Sequence, residues 1–446
     1  MEVHRVEKTL KRILIRDILR RGETKENSKY VYGWVHAKRD LGGQGFLVLR
    51  DRSGDLQVLV SPIGDLRKTF DDLNIGDVIR VRGSIKSDER APGEVELIPV
   101  KMEVVSLCRY PPPLPLDRLG FRRPPSLDKR LDFRYLDLRN KAVETIFKTK
   151  EMVVEALRKQ LRKLDFVEVH TPKIVKEATE GGTNLFAVEY FAEDAYLAQS
   201  PQFYKQMLMA SGLERVYEIA PAFRAERHNT VRHLNEFISV DLEIAFIESE
   251  KDVMRTIEKI LRGVLRDVGR YIDRIGLDIK LKIPKLPFPE ISMDEAYSLL
   301  EGWDLEVERG QELTPEGEKE LWRYFKTKEE TDFFFLTEFP RDLRPLYLMT
   351  FEDRPEYTRS FDLFYKGLEI VTGGQRIHDY ETLKKAFEDR KIPLENYQFY
   401  LDAFRYGMPP HGGLGLGLER LVQQILDLKN IRETVLFPRD RGRLVP

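Results

Sequence analysis

The sequence predicts an α+β protein with more than one domain, on three observations. Short β-rich runs broken by glycine and aspartate fill residues 30–106, as in a small barrel. A proline-rich stretch follows at 110–115, where neither a helix nor a central strand can form. Beyond it, long amphipathic helices alternate with strand-like runs, among them a hairpin with a polar loop between residues 216 and 246. A chain of 446 residues is long enough for two or three such domains.

The composition narrows the class of protein. The net charge is −1, so any nucleic-acid partner would have to be held by local patches and not by a general basic field. The single cysteine excludes internal disulfides and cysteine zinc sites. No apolar run approaches the ~18 residues of a membrane helix, and the N-terminus lacks a signal-peptide pattern. We therefore expect a cytoplasmic protein without membrane contact.

The first part of the chain divides into an extension and a barrel. Residues 1–24 have helical spacing of apolar and basic groups, which favours an amphipathic, solvated helix. Residues 25–108 predict five strands with a helical insert near 66–73, between the third and fourth strands, as in a Greek-key barrel of the oligonucleotide-binding type. Such barrels stack bases on exposed aromatic rings, so Phe46 is a candidate for stacking and Gln57 for base-edge contact. Core packing is the alternative for Phe46, and spacing alone favours it.

A stiff linker at 109–135 leads to the larger domain at 136–446. Its first elements are predicted as a helix over 141–164 and a strand over 166–169. Further helices are expected to begin at Ser200-Pro201 and to cover 251–275. The region 280–350 is interpreted as an insertion with helices near 293–301 and 315–325, and no chemistry is assigned to it.

The hairpin predicts a ligand-binding face. Strand alternation places four side chains on one side of its second strand: Phe237, Ser239, Asp241 and Glu243. Arg224 and Glu226 are expected to project beside them from the opposite strand. Such a face suits a ligand with a flat ring, a cation and an anion. The alternative is that Arg224 and Glu226 form a solvated surface ion pair, which would contribute little to the stability of the fold.

The C-terminal part adds a second polar region. A strand pair is predicted over 360–365 and 368–371, and a glycine-alternating strand over 411–417 runs into a helix that carries Arg420. Alternating glycine leaves one strand face bare, so a ligand can lie against backbone. Asp362 and Glu369 are hard oxygen ligands on adjoining strands, which suits Mg²⁺ bridging a triphosphate. The sequence contains neither a phosphate-loop motif nor a dinucleotide-binding motif. Four histidines also lack the spacing of zinc ligands: His228, His233, His378 and His411.

These motifs resemble a known family. The FRAE sequence ending at Glu226, with His233 four residues before Phe237, and GLGLGLER ending at Arg420 are similar to motifs 2 and 3 of class II aminoacyl-tRNA synthetases. The helix, strand and Thr171-Pro172 resemble motif 1, which lies at the dimer interface in that family. The barrel, linker and order of motifs resemble the subgroup that charges aspartate, asparagine or lysine. QSPQFYKQ, TEGG, GGQRIH and FPRDRGRL are similar to the archaeal aspartyl enzymes.

The resemblance implies an OB-fold anticodon-binding barrel followed by a class II catalytic domain, an antiparallel β-sheet flanked by helices. It implies a homodimer that uses ATP and Mg²⁺ to join L-aspartate to tRNA(Asp) in two steps through aspartyl-adenylate. The implied catalytic residues are Arg224, Glu226 and Arg420. The implied ATP-binding residues are Arg224, Ala225, Glu226, Arg232, His233, Leu234, Phe237, Glu369, Gly417, Leu418, Glu419 and Arg420. The implied aspartate ligands are Glu180, Gln202, Lys205, Arg224, Asp241, Thr372 and Arg376, and the metal ligands are Asp362, Glu369 and Thr372.

Substrate choice follows from a few positions. Lys205 and Arg376 would face the side-chain carboxylate, and an asparagine amide would leave both cations desolvated and without a counter-charge. Asparaginyl enzymes lack lysine at the place of Lys205. The implied anticodon contacts are His36, Phe46, Gln57 and Pro92. Enzymes strict for the aspartate tRNA tend to have tryptophan at the place of His36 and lysine at that of Pro92, so this chain is expected also to charge tRNA(Asn).

Three alternatives remain at this point. An asparaginyl-tRNA synthetase shares most of these motifs, and a non-catalytic paralogue would only bind RNA through its barrel. A paralogue that amidates aspartate would lack that barrel. Arg224, Glu369 and Arg420 are all present, which favours a catalytic protein.

Overall fold

The computed structural model describes residues 12–21, 30–91, 93–116, 124–177, 184–227 and 230–446. Contacts divide the chain into two compact units, Met1–Glu144 and Thr145–Pro446. Three residues named above, Pro92, Glu180 and His228, lie outside the described residues. Within those residues, every helix is too short or too polar to cross a membrane.

The first unit contains a closed barrel. Its elements are β1 (Arg12–Ile13), α1 (Ile15–Arg21), β2 (Tyr30–Leu41), β3 (Gln44–Asp51), β4 (Gly54–Val60), α2 (Asp65–Asp72), β5 (Val78–Ser87), β6 (Val95–Ser106), α3 (Leu127–Asp132) and α4 (Arg134–Asp137). The sheet order is β1-β2-β3-β4-β6-β5, and β2 also pairs with β5, which closes the barrel. Alternate residues of β3 and β4 point inward and are buried. The predicted five-strand barrel with a helix between its third and fourth strands is confirmed.

The start of the described chain belongs to the barrel. Strand β1 pairs in parallel with β2, and α1 buries Ile15 and Ile18 in the barrel core, where they are 0% and 2% exposed. The prediction of a solvated helix is therefore wrong for α1. Its apolar stripe covers barrel surface that the strands alone would leave open to water.

Replacing Ile15 by alanine is expected to lower the free energy of unfolding of the barrel by about 2–4 kcal/mol, because it opens a cavity in a close-packed core. The measurement is the urea midpoint of the barrel transition in the full-length chain. The matched control is Arg16→Ala, since the Arg16 side chain is 56% exposed. Equal midpoints for the two variants would show that α1 does not contribute to the barrel core.

The second unit contains a large sheet and its covering helices. Its first elements are α5 (Lys141–Lys163), β7 (Val167–Glu168), β8 (Ile174–Val175), β9 (Ala187–Tyr190), β10 (Glu193–Leu197), α6 (Gln202–Met207), β11 (Arg215–Phe223), β12 (Glu236–Ala245) and α7 (Glu250–Arg274). The others are β13 (Glu290–Ser292), α8 (Met293–Gly302), α9 (Pro315–Lys328), β14 (Phe333–Thr337), β15 (Ser360–Tyr365), β16 (Leu368–Gln375), α10 (Tyr380–Asp389), α11 (Gln398–Arg405), β17 (His411–Gly417) and α12 (Leu418–Ile425).

The main sheet has eight strands in the order β13-β14-β15-β16-β17-β12-β11-β7. Its six central strands are antiparallel, and only the two outermost pairings are parallel. Apolar residues of α5, α7 and α12 pack with those of the sheet strands in one core. The predicted antiparallel sheet flanked by helices is confirmed. A separate small sheet has the order β8-β10-β9.

The region 280–350 is part of this sheet. Helices α8 and α9 confirm the two predicted there, whereas strands β13 and β14 were missed. The FFFLT run of β14 is buried at every position, so it lacks the alternation that identifies a half-exposed strand. Its Phe334 ring stacks on Phe364 of β15 with 4.8 Å between centroids.

Candidate active site

The central strands form the floor of a cavity of about 520 Å³. The predicted hairpin supplies β11 and β12, and the glycine-alternating strand β17 lies beside β12, with Gly415 opposite Asp241. Most predicted site residues line this one cavity: Gln202, Lys205, Arg224, Glu226, Arg232, His233, Leu234, Phe237, Asp241, Asp362, Glu369, Thr372, Arg376, Gly417, Glu419 and Arg420. Residues about 200 positions apart in the chain are thus brought together by strand order.

Three predicted nucleotide ligands have other contacts. Leu418 is 1% exposed and belongs to the core, and the Ala225 amide donates to Asn184 at 2.7 Å. Both carboxylate oxygens of Glu419 are engaged, one with Lys150 Nζ at 2.6 Å and the other with the backbone amide of Ile238 at 3.0 Å. Glu419 therefore connects α12 to α5 and β12 through its side chain, and it also lines the cavity.

Arg224 and Glu226 lie in the loop after β11 and not on the strand itself, which corrects the sequence-based placement. The Asn235 amide holds this loop, donating to the carbonyls of Arg224 at 2.7 Å and Glu226 at 3.0 Å. The Arg224 side chain is 44% exposed, and its guanidinium lies 5.6 Å from the ring centroid of Phe237. A cation and an aromatic face thus line the same part of the cavity. Sequence reasoning missed Asn235.

Four buried charged residues, which we name the charge quartet, contact one another: Lys205, Asp241, Glu243 and Arg376, of which all but Glu243 line the cavity. Lys205 Nζ donates to Asp241 Oδ1 at 3.0 Å and lies 3.5 Å from Glu243 Oε2. Arg376 Nε donates to Glu243 Oε1 at 3.0 Å. Each cation is therefore held in place by a carboxylate before any ligand arrives. The role of Glu243 between the two cations was missed, because the pairing between these strands could not be predicted from the sequence.

Burial disfavours the charged form of Glu243, but attraction from Arg376 and Lys205 outweighs it and holds the pKa of Glu243 below its ordinary value. A glycine makes room for this carboxylate. A Cβ at Gly413 of β17 would lie 2.0 Å from Glu243 Oε2, so no other residue fits there without displacing the ion pair. The bare strand face predicted from alternating glycine is used here by a carboxylate of the protein itself.

A pair of acidic residues lies on β15 and β16. Asp362 stands opposite Thr372 in the strand register, and Thr372 Oγ1 donates to Glu369 Oε1 at 2.9 Å. Arg344 Nη2 donates to Asp362 Oδ2 at 2.6 Å, and Arg420 Nη1 lies 3.2 Å from Glu369 Oε2. Arg344 comes from the region to which no chemistry had been assigned, and sequence reasoning missed it.

This acidic pair fits a hard divalent cation. Burial and repulsion from Glu369 raise the pKa of Asp362 to about 6, against the opposing attraction of Arg344. The buried Asp362 Oδ1 has no hydrogen-bond partner among the described residues. Mg²⁺ is commonly bound by one or two carboxylates with phosphate oxygens completing its shell. No group of three or more acidic, histidine or cysteine ligands occurs in the described part of the chain.

Helix α9 also contributes to the cavity. Glu318 Oε2 accepts from Arg232 Nη1 at 3.0 Å, so a predicted phosphate ligand is paired with an acid that sequence reasoning missed. Burial, with repulsion from Glu369, raises the pKa of Glu318 to about 7, although Arg232 opposes the shift. Helix α9, in the region to which no chemistry had been assigned, thus brings an acidic side chain into the cavity.

The raised pKa of Glu318 gives a pH-dependent stability. Between about pH 4.5 and 7 the folded chain keeps a proton that the unfolded chain releases, so the wild type loses stability as pH rises. Glu318→Gln removes this loss and is expected to stabilise the protein by up to about 3 kcal/mol at pH 8, with little effect at pH 4.5. Thermal unfolding at both pH values measures the difference. Glu316→Gln, an exposed acid in the same turn, should show no such trend, and a parallel trend in both variants would contradict the assignment to Glu318.

The predicted anticodon contacts lie on the barrel of the first unit. Phe46 is partly exposed and is not part of the buried barrel core, so core packing does not explain it. Gln57 lies on the neighbouring strand β4, and its Nε2 donates to Glu96 Oε2 at 3.3 Å. His36 is 7% exposed and occupies a bulge of β2 between Val35 and Ala37.

Comparison with known proteins places this geometry in context. The profile of class II tRNA synthetases (D, K and N) matches residues 126–441, and that of the OB-fold nucleic acid binding domain matches residues 30–105. The chain is 50% identical over 419 residues to aspartate-tRNA(Asp/Asn) ligase of Methanopyrus kandleri, covering 93% of this chain and 95% of the relative. It is 46% identical over 421 residues to aspartate-tRNA(Asp) ligase of Pyrococcus horikoshii, with the same coverage. Among solved structures, asparaginyl-tRNA synthetase of Pyrococcus horikoshii with asparaginyl-adenylate superposes with a TM-score of 0.85 at 34% identity, covering 94% of this chain and 96% of the other.

Proposed function

The chain belongs to the class II tRNA synthetases of the aspartate, lysine and asparagine group, a family of aminoacyl-tRNA ligases, and from this premise we propose that it attaches L-aspartate to tRNA(Asp). The observation that carries the choice of aspartate is the charge quartet, in which the buried cations Lys205 and Arg376 line the cavity. Asp241 and Glu243 hold these two cations in place, and their remaining donors favour a second carboxylate on the amino acid. A neutral side chain of the same size would forfeit that attraction.

The first step joins the amino acid to the nucleotide. An oxygen of the aspartate α-carboxylate attacks the α-phosphorus of ATP, the bond to the β-phosphate oxygen breaks, and pyrophosphate leaves. Arg224 neutralises the charge that builds up on the α-phosphate, because a cation fixed beside the reacting group needs no reorganisation during the reaction. Phe237 offers a face for the adenine ring and Arg420 a planar cation above it, a geometry that arginine permits and lysine does not.

The outer phosphates are assigned to the other cations of the cavity. Arg232 and His233 would contact them, and Arg232 would exchange its partner Glu318 for phosphate oxygens. Asp362, Glu369 and Thr372 would hold Mg²⁺, whose chemistry is to neutralise the triphosphate charge. Binding and alignment, more than covalent chemistry by the protein, then supply the rate.

The second step transfers the aspartyl group. The 3′-hydroxyl oxygen of the terminal adenosine of the tRNA attacks the carbonyl carbon of the adenylate, the bond from that carbon to the phosphate oxygen breaks, and AMP leaves with the hydroxyl proton on its phosphate. The α-ammonium group of the substrate is assigned to Gln202, Asp241 and Glu180, the last of which is outside the described residues. We also assign the protein to the cytoplasm. A homodimer is proposed because α5, β7 and Thr171-Pro172 resemble motif 1, which lies at the dimer interface in this family.

Exchange of labelled pyrophosphate into ATP tests the amino-acid choice. L-Aspartate is expected to support exchange, and L-asparagine and L-lysine should support it at least about 100-fold less well, because a neutral or positively charged side chain forfeits the attraction of Lys205 and Arg376 for a second carboxylate. Preference for asparagine would favour the asparaginyl enzyme, whose solved structure superposes on this chain. Absence of exchange with any amino acid would favour a non-catalytic RNA-binding protein.

The choice of tRNA is proposed to be relaxed. Phe46 and Gln57 lie on adjacent barrel strands, and His36 and Pro92 stand where strict enzymes tend to have tryptophan and lysine. The relatives bear both names, Asp/Asn and Asp alone. Two transcripts that differ only at anticodon position 36 are expected to be aspartylated within about 10-fold of each other, since a mismatch at a read base costs more than that. A strong preference for C over U at this position would show a discriminating enzyme.

A further inference from the structure

A chain of buried polar side chains leads from the backbone of the protein to the cavity. His411 and Gln206 are 0% exposed and Gln202 is 3% exposed. His411 Nδ1 lies 2.9 Å from the Pro409 carbonyl oxygen, and His411 Nε2 lies 3.1 Å from Gln206 Nε2. Gln206 Oε1 accepts from Gln202 Nε2 at 2.9 Å. Gln202 lines the cavity, whereas Gln206 and His411 lie behind it.

The direction of every hydrogen bond in this chain is fixed from one end. A carbonyl oxygen can only accept, so the proton of neutral His411 is on Nδ1 and its Nε2 is an acceptor. Burial lowers the pKa of His411 to about 4, against the attraction of Glu243, so the ring is neutral near pH 7. Gln206 must then offer its amide nitrogen to His411, which turns its carbonyl oxygen to Gln202.

A second donor supports this orientation of Gln206. The Tyr400 hydroxyl donates to Gln206 Oε1 at 3.1 Å, and burial raises the pKa of Tyr400, so that the hydroxyl keeps its proton. An amide turned the other way would oppose two donors with its own nitrogen and leave His411 Nε2 facing an oxygen. Such a buried mismatch costs more than the hydrogen bonds themselves contribute.

The last member of the chain is thereby oriented too. Because Gln202 donates its amide nitrogen to Gln206, the other end of that amide, the carbonyl oxygen, is left for a donor in the cavity. We propose that His411 and Gln206 are positioning residues that hold the Gln202 carbonyl oxygen toward the α-ammonium group of the bound amino acid. This inference rests on the proposed function, in which Gln202 is a ligand of that group.

The consequence is selectivity for the charged amino group. A freely turning amide would present its nitrogen part of the time, and its dipole would then oppose the ammonium. We name the hydrogen-bonded series His411, Gln206 and Gln202 the relay. Breaking the relay should weaken the binding of ligands that carry the ammonium group and leave the binding of ligands without it unchanged. L-Aspartate and succinate form such a pair, because succinate has both carboxylates but no amino group.

The test is the variant Gln206→Met in pyrophosphate exchange with the full-length enzyme. The KM for L-aspartate is expected to rise about 10-fold, while kcat and the KM for ATP change less than about 2-fold. The inhibition constant of succinate should change less than about 2-fold. The ratio of the KM for aspartate to the inhibition constant of succinate does not depend on the fraction of the protein that is folded. The control is Gln160→Met, the same change at a buried glutamine of α5 that donates to Asp267 and does not line the cavity, and it should preserve the ratio.

A second variant covers the case in which Gln206→Met does not fold. His411→Leu breaks the same relay one step earlier and should change the ratio in the same direction. Equal weakening of aspartate and succinate would overturn the relay and leave the proposed function standing. Failure of the wild type to exchange with aspartate at all would instead overturn the proposed function.

Discussion

Replacing Arg224 by glutamine is expected to lower kcat/KM for aspartate-dependent pyrophosphate exchange by about 10³-fold or more, because one preorganised cation is removed from the charge that forms on the α-phosphate. The loss should fall mainly on kcat, since the interaction strengthens in the transition state. Asn235 fixes the loop through backbone carbonyls, so the substitution leaves the loop conformation unchanged.

The matched control is Arg227→Gln, three residues further along the same loop. Arg227 is exposed and is not among the residues that line the cavity. It should therefore exchange at the wild-type rate in the absence of tRNA. If Arg224→Gln lost no more than the control, the assignment of Arg224 to the α-phosphate would be wrong, whatever the amino-acid specificity turned out to be.

The second large effect is expected at Lys205. Lys205→Met should lower kcat/KM for aspartate by about 10²–10³-fold, because truncation of one partner in a buried charge pair costs several kcal/mol. The preference for aspartate over asparagine should fall by a similar factor. That ratio is insensitive to the folded fraction, so it separates a lost substrate contact from general destabilisation.

The control for Lys205→Met is the same substitution at Lys173, which belongs to a partly buried ion pair outside the cavity. Lys173 Nζ lies 2.8 Å from Glu218 Oε1, its side chain is 23% exposed, and it does not line the cavity. Lys173→Met should alter stability but leave the ratio of aspartate to asparagine unchanged. A ratio unchanged in Lys205→Met as well would remove the charge quartet from the explanation of specificity.

Local pattern predicted much of this molecule. The hairpin of β11 and β12, the long helices α5 and α7 and the glycine-alternating strand β17 all have a periodicity or composition that follows from their own residues. The motif residues were found for the same reason, and the cavity brings most of them together.

What was missed depends on contacts between distant segments. Strand β14 is buried on both faces, so its sequence lacks the alternation of a half-exposed strand. The apolar face of α1 packs on the barrel core, and the sequence of α1 alone does not show which surface that face covers. Glu318 and Arg344 became visible as site residues only when the fold placed them beside Arg232 and Asp362. Glu243 was predicted on the ligand-binding face, but its pairing with Arg376 was not. A sequence shows which residues carry charge, but pairing among them is decided by topology.

The charge quartet also determines how the amino acid meets its site. The charges of one lysine, one arginine and two carboxylates sum to zero, so their combined electric field falls off within a few ångströms. Salt at 0.1 M screens it further over about 10 Å. An approaching aspartate therefore gains little guidance from these groups while it is still in bulk water. Discrimination by the quartet then resides in residence time, because the right amino acid leaves slowly and the wrong one departs before the nucleotide can react.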